Sequence, residues 1–190
     1  MPAKAKVTRE MIVDAAFDIV REQGLEQVNA RTVAERLGCS TQPVMYQFDT
    51  MEELKQAVYA KAGWYHTGYL MPPRPGQEDV MLGIGLNYIR FAIEEPHLFR
   101  LLFQSGFAVE NSVLEMVDSE ELLPVLSTMG EAAGMGMERM KKVFLTIALF
   151  AHGYASIIAN NALEYDEELI KAHLERAYRG AVLAVEEEEA

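Results

Sequence analysis

Between Asn29 and Phe48 two short apolar-periodic stretches meet across Gly38-Cys39-Ser40, and no other feature of the chain limits its fold as tightly. Asn29 stands as N-cap for a helix of about two turns that carries Val33, Ala34 and Leu37 on one face and stops at Gly38. Ser40 stands as N-cap for the next, with Val44 and Phe48 inward and Thr41, Gln42, Tyr46 and Gln47 left on the open side. Pro43 then falls at the third helical position, where its missing N–H would have found no partner inside the helix. Helices this short do not persist alone. Upstream lies the stretch 8–23, in which Ile12, Ala15, Ala16, Ile19 and Val20 follow one helix face and Gly24 marks the stop.

The rest of the chain repeats the helical period and never settles into strand alternation, so the expected class is all-α. Thr50 and Glu53 form a capping box for a helix with Leu54, Val58 and Ala62 inward, broken by Gly68 and by Met71-Pro72-Pro73-Arg74-Pro75-Gly76. Further helices are expected over 78–95, from Pro96 through Leu98, Phe99, Leu101, Leu102 and Phe103, and once or twice within 112–133. Residues 137–161 are apolar on most sides, which calls for cover on more than one face, and 166–185 carry a broad stripe including Leu169, Ile170, Leu174 and Ala181. Glu186 to Glu189 read as a solvated acidic tail. The proline cluster is the clearest break. The expected organisation is a helix-turn-helix domain over 1–50, a connecting helix over 51–70, and a helical sensing and dimerisation domain within 51–190.

Composition excludes several classes. A chain of 190 residues, half of them hydrophobic, is long enough to bury a core. No run reaches the roughly 18 uninterrupted apolar residues of a membrane span, and no signal-peptide run follows the first residues, so a soluble, cytoplasmic protein is expected. The single cysteine, Cys39, allows no intrachain disulfide, and histidines at 66, 97, 152 and 173 have no zinc-site spacing, so neither metal nor cofactor is expected. The net charge of −12 is uneven: residues 1–61 carry eight Lys and Arg against nine Asp and Glu, whereas 62–190 carry nine against twenty. Phosphate repels the acidic rear, which favours approach by the near-neutral front, with Lys4, Lys6 and Arg9 on its first arm turned toward a duplex.

Two short helices joined by a tight glycine turn, the second with a polar open face, are what a major groove about 12 Å wide admits. The run Asn29-Ala-Arg-Thr-Val-Ala-Glu-Arg-Leu-Gly-Cys-Ser-Thr-Gln-Pro-Val-Met-Tyr-Gln-Phe-Asp-Thr-Met-Glu-Glu-Leu54 resembles the DNA-binding signature of TetR-type regulators. The likeness extends over 8–61 and includes Val33-Ala34, the Gly-x-Ser turn, Phe48 and the Thr-x-x-Glu-Leu start of the fourth helix. It departs at Met45, where the family usually has an aromatic residue, at Gln47, where His or Tyr is frequent, and at Pro43, which replaces a small or hydroxylated residue. The resemblance implies a three-helix DNA-binding domain, a helical effector-binding and dimerisation domain, and no enzymatic activity.

By role, Thr41, Gln42 and Pro43 are candidates for base edges, Gln42 through a bidentate pair to adenine and Pro43 through a thymine methyl. Asn29, Ala30, Arg31, Tyr46, Gln47 and Lys55 are candidates for positioning on phosphates. Two recognition helices must be held about 34–36 Å apart or further, which calls for a homodimer. The last two long helices are the expected interface, with small residues such as Gly153 and Gly180 allowing close approach, as the resemblance also implies. A sensor pocket for a small apolar or amphipathic effector is expected among Trp64, Tyr65, Met81, Tyr88, Phe91, Phe99, Phe103, Met116, Phe144 and His152, with His152 as polar anchor. For each of these an ordinary place in the core is the competing reading. The run 96–103 with His152-Gly153 resembles the sensor of one TetR subgroup without identifying a ligand. The expected function is a repressor on a palindromic operator, released by its effector. A regulator without an effector is the alternative; an all-helical enzyme is the remote one, lacking any phosphate-loop or Cys–His pattern.

Overall fold

A computed structural model of the chain describes residues 7–71, 74, 79–107, 113–161 and 163–188. Among these are ten α-helices and no strand: α1 (Arg9–Gln23), α2 (Ala30–Arg36), α3 (Gln42–Gln47), α4 (Met51–Leu70), α5 (Val80–Glu94), α6 (Pro96–Gln104), α7 (Val113–Val117), α8 (Leu123–Ala133), α9 (Met137–Asn161) and α10 (Glu167–Glu188). Lys4, Lys6, most of the proline segment, Glu78, Ser112 and Glu189 lie outside the described residues. The all-helical class expected from the period is the class observed.

The chain divides into two compact units, one of Met1–Trp64 with Glu95–Ala108, the other of Tyr65–Glu94 with Val109–Ala190. In the first, Thr8 caps α1 by accepting the Met11 N–H (3.2 Å), and Gly24 ends it at φ +98° with its N–H on the Val20 carbonyl. The inward face is the expected one, and Phe17 is buried with it. Leu54, Val58 and Ala62 of α4 are fully buried. Truncating a fully buried leucine such as Leu54 costs about 2–5 kcal/mol. The α6 segment packs on α1, with Leu98, Phe99 and Leu101 inside. Arg21 Nε reaches both oxygens of the buried Glu95 carboxylate (2.9 and 2.8 Å). His97 Nδ1 lies 3.3 Å from where a Gly24 Cβ would sit, so the glycine serves close approach as well as the positive φ.

Two caps differ from expectation. The third helix begins at Gln42 with Thr41, not Ser40, as its flanking residue and with no side-chain cap, so Pro43 stands one place earlier, still inside the first turn where no N–H is needed. At α4, Thr50 Oγ1 accepts the Glu53 N–H (3.1 Å), but the returning carboxylate takes the Asp49 N–H (2.9 Å), one residue upstream of the reciprocal box. Gly68 does not break α4 either.

In the second unit α5 packs on α8, α9 and α10 around Leu70, Ile84, Val125, Leu126, Met129 and Met140. Gly85 lets α10 approach, since a Cβ there would meet Leu174 Cδ1 at 3.2 Å. The carboxyl end of α4 is held from afar: the buried Asn87 amide donates to the Leu70 carbonyl (3.0 Å), and Thr67 donates to that of Glu121 (2.8 Å). Helix α9 has the length and apolarity to cross a membrane (mean hydropathy 1.6), yet Glu138, Arg139, Lys141 and Lys142 crowd its first turns and Met140, Val143, Ile147, Ala151, Ala155 and Ile158 lie in the core. Its opposite side is uncovered in the single chain, with Leu149 and Ile157 each 56% exposed. The acidic stretch expected to be solvated is exposed at Glu186, Glu187 and Glu188, and there it forms the last turn of α10.

Candidate nucleic-acid interface

The helix pair is locally over-determined. Asn29 Oδ1 accepts from the Arg31 and Thr32 N–H groups (3.0 and 3.1 Å), and Thr32 Oγ1 accepts from the Asn29 N–H (3.1 Å), so α2 opens on a reciprocal cap. It closes on a Schellman turn: the Cys39 N–H returns to the Ala34 carbonyl (3.0 Å), the Gly38 N–H to that of Glu35 (3.2 Å), and Gly38 sits at φ +63°. Val33, Ala34, Val44 and Phe48 are buried beneath the turn.

What remains outside is the face expected to meet DNA. Thr41 and Gln42 are exposed, Pro43 and Gln47 half-buried, and Tyr46 is 83% exposed, too open for a packing role. Met45 stands 52% exposed beside it. At the start of α2, Ala30 is half-buried and Arg31 extends into solvent, paired with Glu35 (2.8 Å). Lys55 pairs with Glu52 (3.1 Å). Such exposed pairs exchange readily for a phosphate partner. Asn29 differs: its carbonyl is committed to the cap, and its Nδ2 donates to the Gln27 carbonyl (3.3 Å). Arg9 also departs from the arm expected for it. Its half-exposed guanidinium lies on the Gln47 carbonyl, Glu53 and the Phe48 ring.

The candidate sensor residues fall in both units. Trp64, Phe99 and Phe103 belong to the first unit, with Phe99 and Phe103 in ring contact (5.1 Å) on α6. In the second unit Phe91 packs on His66 (4.7 Å), Tyr69 (5.1 Å) and Tyr65 (6.4 Å). Met81, Tyr88 and Phe144 border the core cluster, and Met116 is half-buried on α7. Tyr88 OH meets His152 Nδ1 (2.9 Å), and Ser156 Oγ meets its Nε2 (3.2 Å), a polar chain that suits a neutral imidazole. Burial lowers the His152 pKa and pushes that of His66 down to about 3. A crevice of about 20 Å³, room for one water, is lined by Met81, Leu82, Ile147, Leu174 and Tyr178 with Asp79 and Glu175 at its edge. His66 was not singled out as a site residue from the sequence, since nothing local signals its contact with Phe91; Ser156, one helical turn from His152, did carry a local signal and was missed.

No protein-family model matches the sequence, and no curated protein matches it. Solved structures do. A TetR-family transcriptional regulator from Streptomyces coelicolor is 19% identical, covers 93% of this chain and 80% of its own, and superposes with a TM-score of 0.62. The multidrug binding protein EbrR in complex with ethidium is 19% identical, with 89% and 96% covered and a TM-score of 0.56. Apo ActR from Streptomyces coelicolor is 16% identical, with 97% and 99% covered and a TM-score of 0.51. By fold, the chain is of the TetR type.

Proposed function

We propose that the protein is a transcriptional repressor that binds a palindromic operator as a homodimer and is released by a small apolar or amphipathic effector. The observation that carries the reading is the open face of α3, where Gln42 and the 83% exposed Tyr46 stand clear of a core that fixes the helix from behind. Residues 1–50 form the DNA-binding domain, with α4 as connector. Thr41, Gln42 and Pro43 read base edges, and Arg31, Tyr46, Gln47 and Lys55 position the phosphates, with the amino end of α2 at Asn29 and Ala30 beside them.

The dimer reading is supported by the uncovered sides of α9 and α10, where Leu149 and Ile157 on the first and Leu169 and Leu183 on the second are all at least 50% exposed. A Cβ added at Gly153 or Gly180 on those helices would meet no neighbouring side chain within 4 Å, which leaves room for a second copy. Two such pairs make a four-helix bundle about a two-fold axis. The effector acts by population shift: it favours a state in which α4 presents the recognition helices out of register. A cytoplasmic site of action follows from this role. The ethidium bound to EbrR makes flat aromatic compounds sensible first probes.

One observation favours a second reading, a regulator with no small-molecule effector: the Tyr88–His152–Ser156 chain satisfies its own hydrogen bonds. Gel-shift titration of the DNA flanking its own gene, with and without a panel of apolar and aromatic compounds, separates them. Binding lost with a compound supports the effector-released repressor. Binding indifferent to every compound supports the second reading, and no binding at low salt by a folded dimer contradicts both.

A further inference from the structure

We propose that Arg9, the first residue of α1, is a positioning residue for base recognition, setting the angle at which α3 presents Thr41 to Gln47. The inference rests on the reading of α3 as the recognition helix. A helix of six residues has no stability of its own, and its last carbonyls have no partner within it. Arg9 supplies one. Its Nη1 donates to the Gln47 carbonyl (2.7 Å), placing a cation at the negative end of the helix dipole. Its Nη2 donates to Glu53 Oε1 (2.8 Å), while the other oxygen of that carboxylate accepts the Asp49 N–H (2.9 Å). The guanidinium carbon lies 3.9 Å from the centre of the Phe48 ring.

Residues 47, 48 and 49, the three that leave the recognition helix, are thus each gripped by one Arg9–Glu53 unit. Arg9 is itself fixed by following the Thr8 cap of α1. Behind the helix, Val44 and Phe48 are buried against α1 and α2. A planar fork that bonds in two directions while stacking on a ring is specific to arginine; a lysine ammonium can keep one of those contacts. With Nη1 and Nη2 spent on the Gln47 carbonyl and on Glu53, Arg9 acts on DNA through α3.

The test uses the duplex that the wild-type protein selects from a random-sequence pool, and compares wild type with Arg9→Met, Arg9→Lys, Glu53→Gln and Lys55→Met. Each variant is titrated against that duplex and its single-base substitutions at several salt concentrations, after its folded fraction has been measured. Arg9→Met is expected to lose about tenfold in affinity and most discrimination against the substituted duplexes, while keeping the wild-type salt slope. Glu53→Gln should do the same more weakly, and Arg9→Lys should recover only part. Lys55→Met should show the opposite pattern, a slope shallower by about 0.9 with discrimination intact. A shallower slope with unchanged discrimination in Arg9→Met would make Arg9 a phosphate ligand and overturn the proposal. So would wild-type behaviour in both readouts.

A second arm needs no DNA. Amide hydrogen exchange at 44–49 should rise in Arg9→Met while that of the buried α1 amides stays put. Unchanged exchange overturns the proposal. A wild-type protein that selects no duplex yet shows the exchange effect would sink the DNA reading and leave the clamp standing.

Discussion

Gln42 and Tyr46 project from a helix whose other side is fixed, so their loss should be felt by DNA and not by the fold. Gln42→Ala is expected to weaken operator binding by about 1–3 kcal/mol and to relax preference at one base pair, with the melting temperature unchanged. Tyr46→Ala should weaken all sequences alike. Fluorescence anisotropy on matched and mismatched duplexes checks both. His66 is the contrary case, a core residue whose charge state matters to stability. Burial holds its folded pKa at about 3, below the ordinary value near 6.5. Between those values the unfolded chain binds a proton that the folded one refuses. Its contribution is therefore complete above about pH 6.5 and shrinks as pH falls, by up to about 1.4 kcal/mol per unit from this group alone. Urea midpoints at pH 7, 6 and 5 should decline in the wild type and decline less in His66→Gln.

The elements divide into those whose ends are written locally and those held from a distance. Thr8, Asn29, Gly24 and Gly38 each act within a few residues of themselves, and α1 and α2 begin and end where these residues indicate. The 137–161 span of α9 was equally legible, because its apolar period runs unbroken. Helix α4 was not. Gly68 and the prolines suggested its end, but the helix continues to Leu70, whose carbonyl is capped by Asn87, seventeen residues away. That contact has no local signature. Asn87→Leu should destabilise the fold by about 1–3 kcal/mol by leaving the carbonyl buried without this donor, measurable by chemical unfolding. The candidate interface was legible because its chemistry lies on one short run. The sensor residues are spread over several elements with no short run to mark them, and residue type alone does not separate a pocket aromatic from a core one such as the buried Phe99.

At the level of the whole molecule, the apolar faces left open on α9 and α10 demand an occupant, and a second copy is the one proposed. Gly153→Ala distinguishes this from a solvent-facing helix by sign. On an open face the substitution stabilises the helix by up to about 1 kcal/mol, whereas against a closely packed partner the added methyl weakens the dimer. Sedimentation equilibrium of the variant is expected to show a raised dissociation constant. The central claim is that two recognition helices, held by this dimer, read DNA. Selection of duplexes from a random pool by the wild-type protein tests it most directly. Enrichment of an inverted repeat is expected, with half-site centres about 34–36 Å apart or further, bound less tightly as salt rises and lost with Gln42→Ala. A folded dimer that enriches no sequence at low salt would contradict it.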